Sequence, residues 1–155
     1  MVKELEKLST SEIELLAKAP LLVCILIAGA DNEIDNKEIK GAIELAKKGK
    51  AKASISEFYK TAAEDFEDKL KIILQTMPFE STQRNPLLFD ELSKLNSILP
   101  KIEKTFAVDF YHSLRYIAKK IAESSGGMLG LKSVGEEEMK FISLPMIKDP
   151  SIYKL

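Results

Sequence analysis

An unbroken apolar run from Leu21 to Ala30 places the strongest constraint on how this chain can fold. A helix that is apolar on every side has to be buried in a protein core. The run is too short to cross a membrane, which takes about 20 apolar residues, and Lys18 and Pro20 interrupt it on its N-terminal side. The segment before it holds more glutamates than lysines, unlike the positive start of a secretory signal. We therefore expect a central buried helix in a cytoplasmic protein that is not an integral membrane protein.

The length and composition are typical of one globular domain. The chain has 155 residues, of which 45% are hydrophobic and 30% charged, enough for a substantial core and a solvated surface. Its 23 basic and 24 acidic side chains give a net charge of -1. Because nucleic-acid binders usually carry a basic stripe, we expect no nucleic-acid partner. Cys24 is the only cysteine, which excludes an intrachain disulfide and favours a small buried hydrophobe.

Apolar residues recur at helical spacing through most of the chain, and no stretch alternates as a half-buried strand does. The sequence therefore predicts an all-α fold: residues 1–155 form a single compact bundle of about seven or eight helices, with 146–155 as an irregular tail. Four capping boxes mark helix starts. They pair Ser9 with Glu12, Asp35 with Glu38, Ser54 with Glu57, and Ser133 with Glu136.

Prolines and apolar stripes set the boundaries of the predicted helices. The first helix is expected from about Ser9 to Ala30, with a reset at Pro20, and a polar loop is expected from Pro78 to Asn85. Asn85 and Pro86 then indicate a helix start, as N-cap and first helical residue. The two following helices have clear apolar stripes. These are Leu88, Leu92, Leu95 and Leu99 in one, and Phe106, Phe110, Leu114, Ile117 and Ile121 in the other.

A cluster of acids follows the apolar run. Asp31, Glu33, Asp35 and Glu38 put four carboxylates within eight residues at the junction of two predicted helices. Carboxylate oxygens at a tight turn suit a hard divalent cation. The spacing does not match an EF-hand loop, which needs a glycine and a bidentate glutamate at positions that Asn36 and Ala42 occupy. A capping box and solvated loop acids explain the same residues without any metal.

The pattern of Ala30, Asp31, Ile34, Asp35 and Glu38 after a buried helix resembles the tellurite-resistance TerB-like family. The resemblance implies an all-helical fold of two related halves, an association with stress and tellurite resistance, and acidic residues that chelate metal. The second half would span Tyr116 to Leu144. On this interpretation Asp31, Asp35 and Glu38, with Glu138 from the second half, form the metal site.

The sequence indicates no catalytic machinery, so we expect no enzyme. His112 is the only histidine, no nucleophile motif lies near it, and it is expected on the surface opposite the apolar stripe. The leading hypothesis is a sensor or docking module that binds Ca²⁺, Mg²⁺, Mn²⁺ or Zn²⁺ and has a protein partner. The alternative is a metal-free helical scaffold for protein interactions. The two-halves interpretation also predicts that the helices ending near Ala30 and Ala122 pack against each other.

Overall fold

The computed structural model describes residues 6–28, 58–60, 64, 66–78, 80–126 and 143–152. Within these ranges the regular structure is helical and no strand occurs, which confirms the all-α class. How many helices the whole chain forms stays a prediction. The described elements are the helices α1 (Thr10–Ala28), α2 (Phe66–Thr76), α3 (Ser81–Ser93), α4 (Leu95–Ile98) and α5 (Lys104–Gly126), and the 3-10 turns Leu99–Lys101 and Pro150–Ile152. None of the described helices is long and apolar enough to span a membrane.

Helix α1 starts at the capping box predicted from the sequence. The backbone N–H of Ser9 donates to Glu12 Oε1 at 2.9 Å, and the N–H of Glu12 donates to Ser9 Oγ at 3.3 Å. Each residue thus satisfies a backbone donor that the first helical turn leaves without a partner. The other three predicted capping boxes lie outside the described residues.

The predicted reset at Pro20 is wrong, because α1 continues through this residue from Thr10 to Ala28. A proline inside a helix removes the bond to the carbonyl four residues earlier, here Leu16, and costs about 3 kcal/mol. Burial on both sides of the proline offsets that cost. Leu16 and every side chain from Ala19 to Ile27 are buried, so the core holds this segment helical.

Helices α1 and α5 form the centre of the core, with the most extensive contact between any two described elements. The predicted contact between these helices is confirmed, whereas the internal repeat that suggested it stays a prediction. The α5 stripe is also confirmed, since all five of its members are at most 2% exposed. Cys24 is fully buried in α1, as a small hydrophobe would be.

Helix α3 starts about one turn earlier than predicted, at Ser81, and Pro86 lies inside it. The predicted loop to Asn85 with an N-cap there is therefore wrong. The carbonyl of Glu80 accepts from the N–H groups of Gln83 and Arg84 at 3.1 and 2.8 Å. Pro86 is far enough into the helix to leave this first turn intact. The leucine stripe is fully buried as predicted, but its four members are distributed over α3, α4 and the following 3-10 turn.

Residues 143–152 pack back onto the helices although they are mostly irregular. Met146, Ile147 and Pro150 are buried, and the turn Pro150–Ile152 contacts α5. Leu144 has a φ of 52° and is fully buried. Because this backbone region costs a non-glycine residue about 1–3 kcal/mol, packing has to hold it in place. The predicted irregular tail is thus a docked part of the fold as far as Ile152.

Asn96 in α4 attaches this segment at two points. Its Nδ2 donates to the carbonyl of Met146 at 2.8 Å, and its Oδ1 accepts from the N–H of Lys148 at 2.7 Å. The side-chain amide pairs with the backbone as a neighbouring strand would, so both backbone groups are satisfied.

Replacing Asn96 by alanine should loosen residues 146–152 from the helices. Two hydrogen bonds are lost at once, so we expect a destabilisation of roughly 1–2 kcal/mol. Amide hydrogen exchange should show faster exchange at Ile147 and Lys148. Ser97→Ala is the control, since Ser97 Oγ donates only to the Lys94 carbonyl of its own helical region. Unchanged exchange at Ile147 and Lys148 in Asn96→Ala would contradict this role.

Candidate functional site

The four predicted metal ligands, Asp31, Asp35, Glu38 and Glu138, lie outside the described residues. Whether their carboxylates converge stays a prediction. Among the residues that the structure does describe, no group of three or more histidine, cysteine or acidic side chains is arranged to hold a metal ion. Of the surroundings of the predicted site, the structure describes the two helices that precede its acids in the sequence, α1 and α5.

Two contacts give the relative direction of α1 and α5. Near their starts, Lys101 Nζ lies 2.7 Å from Glu12 Oε2. Farther along, the Tyr59 hydroxyl bonds to Ser113 Oγ in α5 at 2.6 Å. Cys24 of α1 lies near the same hydroxyl and contributes slightly to its raised pKa, after the larger effect of burial. The helices therefore run in the same general direction. Their C-terminal ends, which carry the partial negative charge of the helix dipole, lie on the same side of the core.

The ion pair of Glu12 with Lys101 lies at the N-terminal end of α1, beside an open cleft. Lys101 and, secondarily, the Ser9 N–H hold the pKa of the Glu12 carboxyl below its usual range. Glu12 also lines an open cleft of about 440 Å³ between α1 and the α3–α4 region. A second ion pair, Lys94 with Glu91 at 2.7 Å, lies on the opposite wall. These carboxylates are already neutralised by ammonium groups, so they do not form an acidic cluster suited to a cation.

Among the described residues, Cys24 and Tyr59 are titratable groups that are fully buried. Burial raises the pKa of the Cys24 thiol and of the Tyr59 hydroxyl well above their usual ranges. Ser113 Oγ donates to the Phe110 carbonyl at 2.6 Å, so the Tyr59 O–H donates to Ser113 Oγ in turn. Because a reactive cysteine needs a lowered pKa and solvent access, Cys24 is not a nucleophile in the folded protein.

His112 is exposed on α5, as predicted. Its ring centroid lies 5.9 Å from that of Tyr111, and the Arg115 guanidinium lies 5.7 Å from the centroid of the same tyrosine. His112 and Arg115 both lie near Asp149. The Ser151 backbone N–H and hydroxyl are the main causes that lower the pKa of the Asp149 carboxyl, and His112 and Arg115 add to them.

The sequence interpretation missed this surface, although a signal was present. Between Asp109 and Glu123 the chain has no carboxylate, while it holds Arg115, Lys119 and Lys120 besides the histidine. The interleaving of both signs over the whole chain obscured this local excess of positive charge. The approach of Asp149, 37 positions beyond His112, could not be seen in any local pattern.

Searches against protein-family models, curated proteins and solved structures find no match to this chain. The TerB-like interpretation consequently stays a prediction, which rests on the sequence motif that begins at Ala30.

Proposed function

We propose that this chain is a TerB-like helical domain that binds a divalent metal ion and acts as a sensor or docking module, not as an enzyme. Asp31, Asp35 and Glu38 would supply carboxylates from the segment after α1, and Glu138 from the segment after α5. The observation that carries the proposal is the side-by-side packing of α1 and α5 in the same direction. The two helices that precede these acids in the sequence therefore end on the same side of the core.

The chemistry of these residues supports a cation as the ligand. Carboxylates that lie close together repel each other, and a divalent ion relieves the repulsion by supplying opposite charge. Asp31 follows the last residue of α1, Ala28, by three positions. The partial negative charge at this helix end adds to the attraction for a cation. A sensor or docking role in stress or tellurite resistance is the function that the family resemblance implies.

Metal binding should raise the melting temperature of the metal-stripped protein. A ligand at about 100 times its dissociation constant adds roughly 2.7 kcal/mol to the free energy of unfolding. We expect at least one of Ca²⁺, Mg²⁺, Mn²⁺ and Zn²⁺ to produce the shift in a thermal denaturation experiment. The double variant Asp31→Asn with Glu38→Gln should lose the shift and keep its helix content, since both replacements conserve side-chain size.

The matched control is Glu64→Gln with Asp68→Asn, which removes the same charge from two exposed positions. This variant should retain the full shift. If none of the four ions changes the melting temperature of the wild-type protein, the metal-binding proposal is wrong and the metal-free scaffold is the better interpretation.

A further inference from the structure

The outer surface of α5 concentrates positive charge. His112, Arg115, Tyr116 and Lys119 are all exposed, and their spacing of three to four residues aligns them along one side of the helix. Ile152, at the end of the docked C-terminal segment, adds an apolar side chain that is 61% exposed. We refer to these five residues as the α5 face. Although the whole chain has a net charge of -1, this surface is locally basic.

Aromatic rings hold cations in place on this surface. The Arg115 guanidinium lies over the Tyr111 ring, and Lys120 Nζ lies 5.5 Å from the centroid of the Tyr116 ring. Each contact is attractive because a cation favours the negative face of the ring. Side chains that are held before binding lose less conformational entropy when a partner arrives. The α5 face is therefore partly organised for binding.

The C-terminal segment forms one edge of the α5 face. The turn Pro150–Ile152 contacts α5, and Asp149 lies near His112 and Arg115. Asp149 Oδ1 accepts from the Ser151 N–H at 2.9 Å, so its carboxylate is partly engaged within its own turn. Asn96 fixes the residues just before it. The turn that ends at Ile152 is thereby held against α5.

We propose that the α5 face docks an acidic segment of a protein partner that carries an apolar side chain among its carboxylates. This inference rests on the docking role proposed above and names the chemistry of the partner. Arg115 and Lys119 complement carboxylates, while Tyr116 and Ile152 accept the apolar side chain. Arginine and tyrosine are enriched in protein interfaces and often dominate their binding energy.

A protein segment suits this surface better than a nucleic acid or a lipid membrane. Asp149 lies near His112 and Arg115 and would repel a continuous row of phosphates, whereas a peptide can place an uncharged residue there. Tyr116 and Ile152 are the large apolar side chains of the α5 face, and two side chains offer a membrane little apolar area to bury.

The test is fluorescence anisotropy with a fluorescein-labelled peptide of repeating Asp-Glu-Leu triplets, at low salt and in the presence of EDTA. The wild-type protein should bind, and added salt should weaken binding because exposed charges are screened. Arg115→Glu with Lys119→Glu should lower the affinity by about tenfold or more, since like charges then face each other. Tyr116→Ser should also weaken binding. Because this variant changes no charge, it measures the apolar contribution to the affinity separately from the contribution of charge. Circular dichroism verifies that each variant is folded.

The matched control is Lys60→Glu with Lys71→Glu, which makes the same change in net charge at two exposed positions outside the α5 face. It should bind within about twofold of wild type. Absence of binding by the wild-type protein, or an equal loss in the control, would overturn the proposal. Tighter binding of oligo-dT or of phosphatidylserine vesicles through the same residues would overturn it as well. Because EDTA removes divalent ions, the outcome is independent of whether the protein binds metal.

Discussion

Replacing Phe110 by alanine is expected to destabilise the protein by about 3–5 kcal/mol, because it leaves a large cavity in a well-packed core. Phe110 is fully buried in the N-terminal half of α5. Its ring meets that of Phe58 edge-on at a centroid distance of 5.2 Å and stacks with that of Phe106 at 6.4 Å. Such aromatic pairs add about 0.5–1.5 kcal/mol each beyond the burial of area. Urea denaturation measures the loss directly.

The control is Phe89→Ala, which removes the same ring from a position on α3 that is 37% exposed. Water already reaches this ring, so the loss should be about 1 kcal/mol or less. Domains of this kind are stable by only about 5–15 kcal/mol, so Phe110→Ala should shift the urea midpoint strongly and Phe89→Ala weakly. Equal shifts in the two variants would show that the aromatic cluster is not the packing centre.

The apolar stripes could be predicted because the spacing of apolar residues along the sequence determines which side of a helix is buried. The stripe from Phe106 to Ile121 and the four leucines from Leu88 to Leu99 are buried where the periodicity indicated. The two errors both concern proline. Pro20 and Pro86 each lie inside a helix. A local rule for helix breaking counts the hydrogen bond that a proline removes, but it does not count the packing that offsets this loss.

The long-range contacts could not be predicted from the sequence. Asn96 contacts residues 50 and 52 positions away, and an exposed asparagine in a short helix gives no local signal of that role. The ion pair of Glu12 with Lys101 joins residues 89 positions apart. Whether Asp31, Asp35, Glu38 and Glu138 share a site is a question of the same kind. Their spacing identifies candidate ligands, while convergence depends on tertiary structure.

The free energy of unfolding should fall as the pH rises above about 8.5, with Cys24 contributing a slope of about 1.4 kcal/mol per pH unit. Cys24 is fully buried, and burial raises the pKa of its thiol far above that of an exposed cysteine. In the unfolded chain the thiol loses its proton above about pH 8.5, whereas in the folded protein it keeps it. The folded state then binds more protons, so its stability is fully present below this pH and is lost progressively above it. Two pH units remove roughly 2.7 kcal/mol. Burial raises the pKa of Tyr59 too, and this residue should steepen the decline from about pH 10.

Cys24→Ala isolates the thiol, because every other titrating group is common to both proteins and cancels when the two curves are subtracted. The variant should be less stable than wild type at neutral pH, as it leaves a small cavity in α1. Urea denaturation at a series of pH values should therefore give curves that converge as the pH rises from about 8.5 to 10.5. Curves that stay parallel would mean that the thiol ionises equally well in the folded protein.

The same burial predicts that a thiol reagent labels Cys24 at neutral pH only as fast as the protein opens. The thiolate is the reactive form, and the native core excludes both water and reagent.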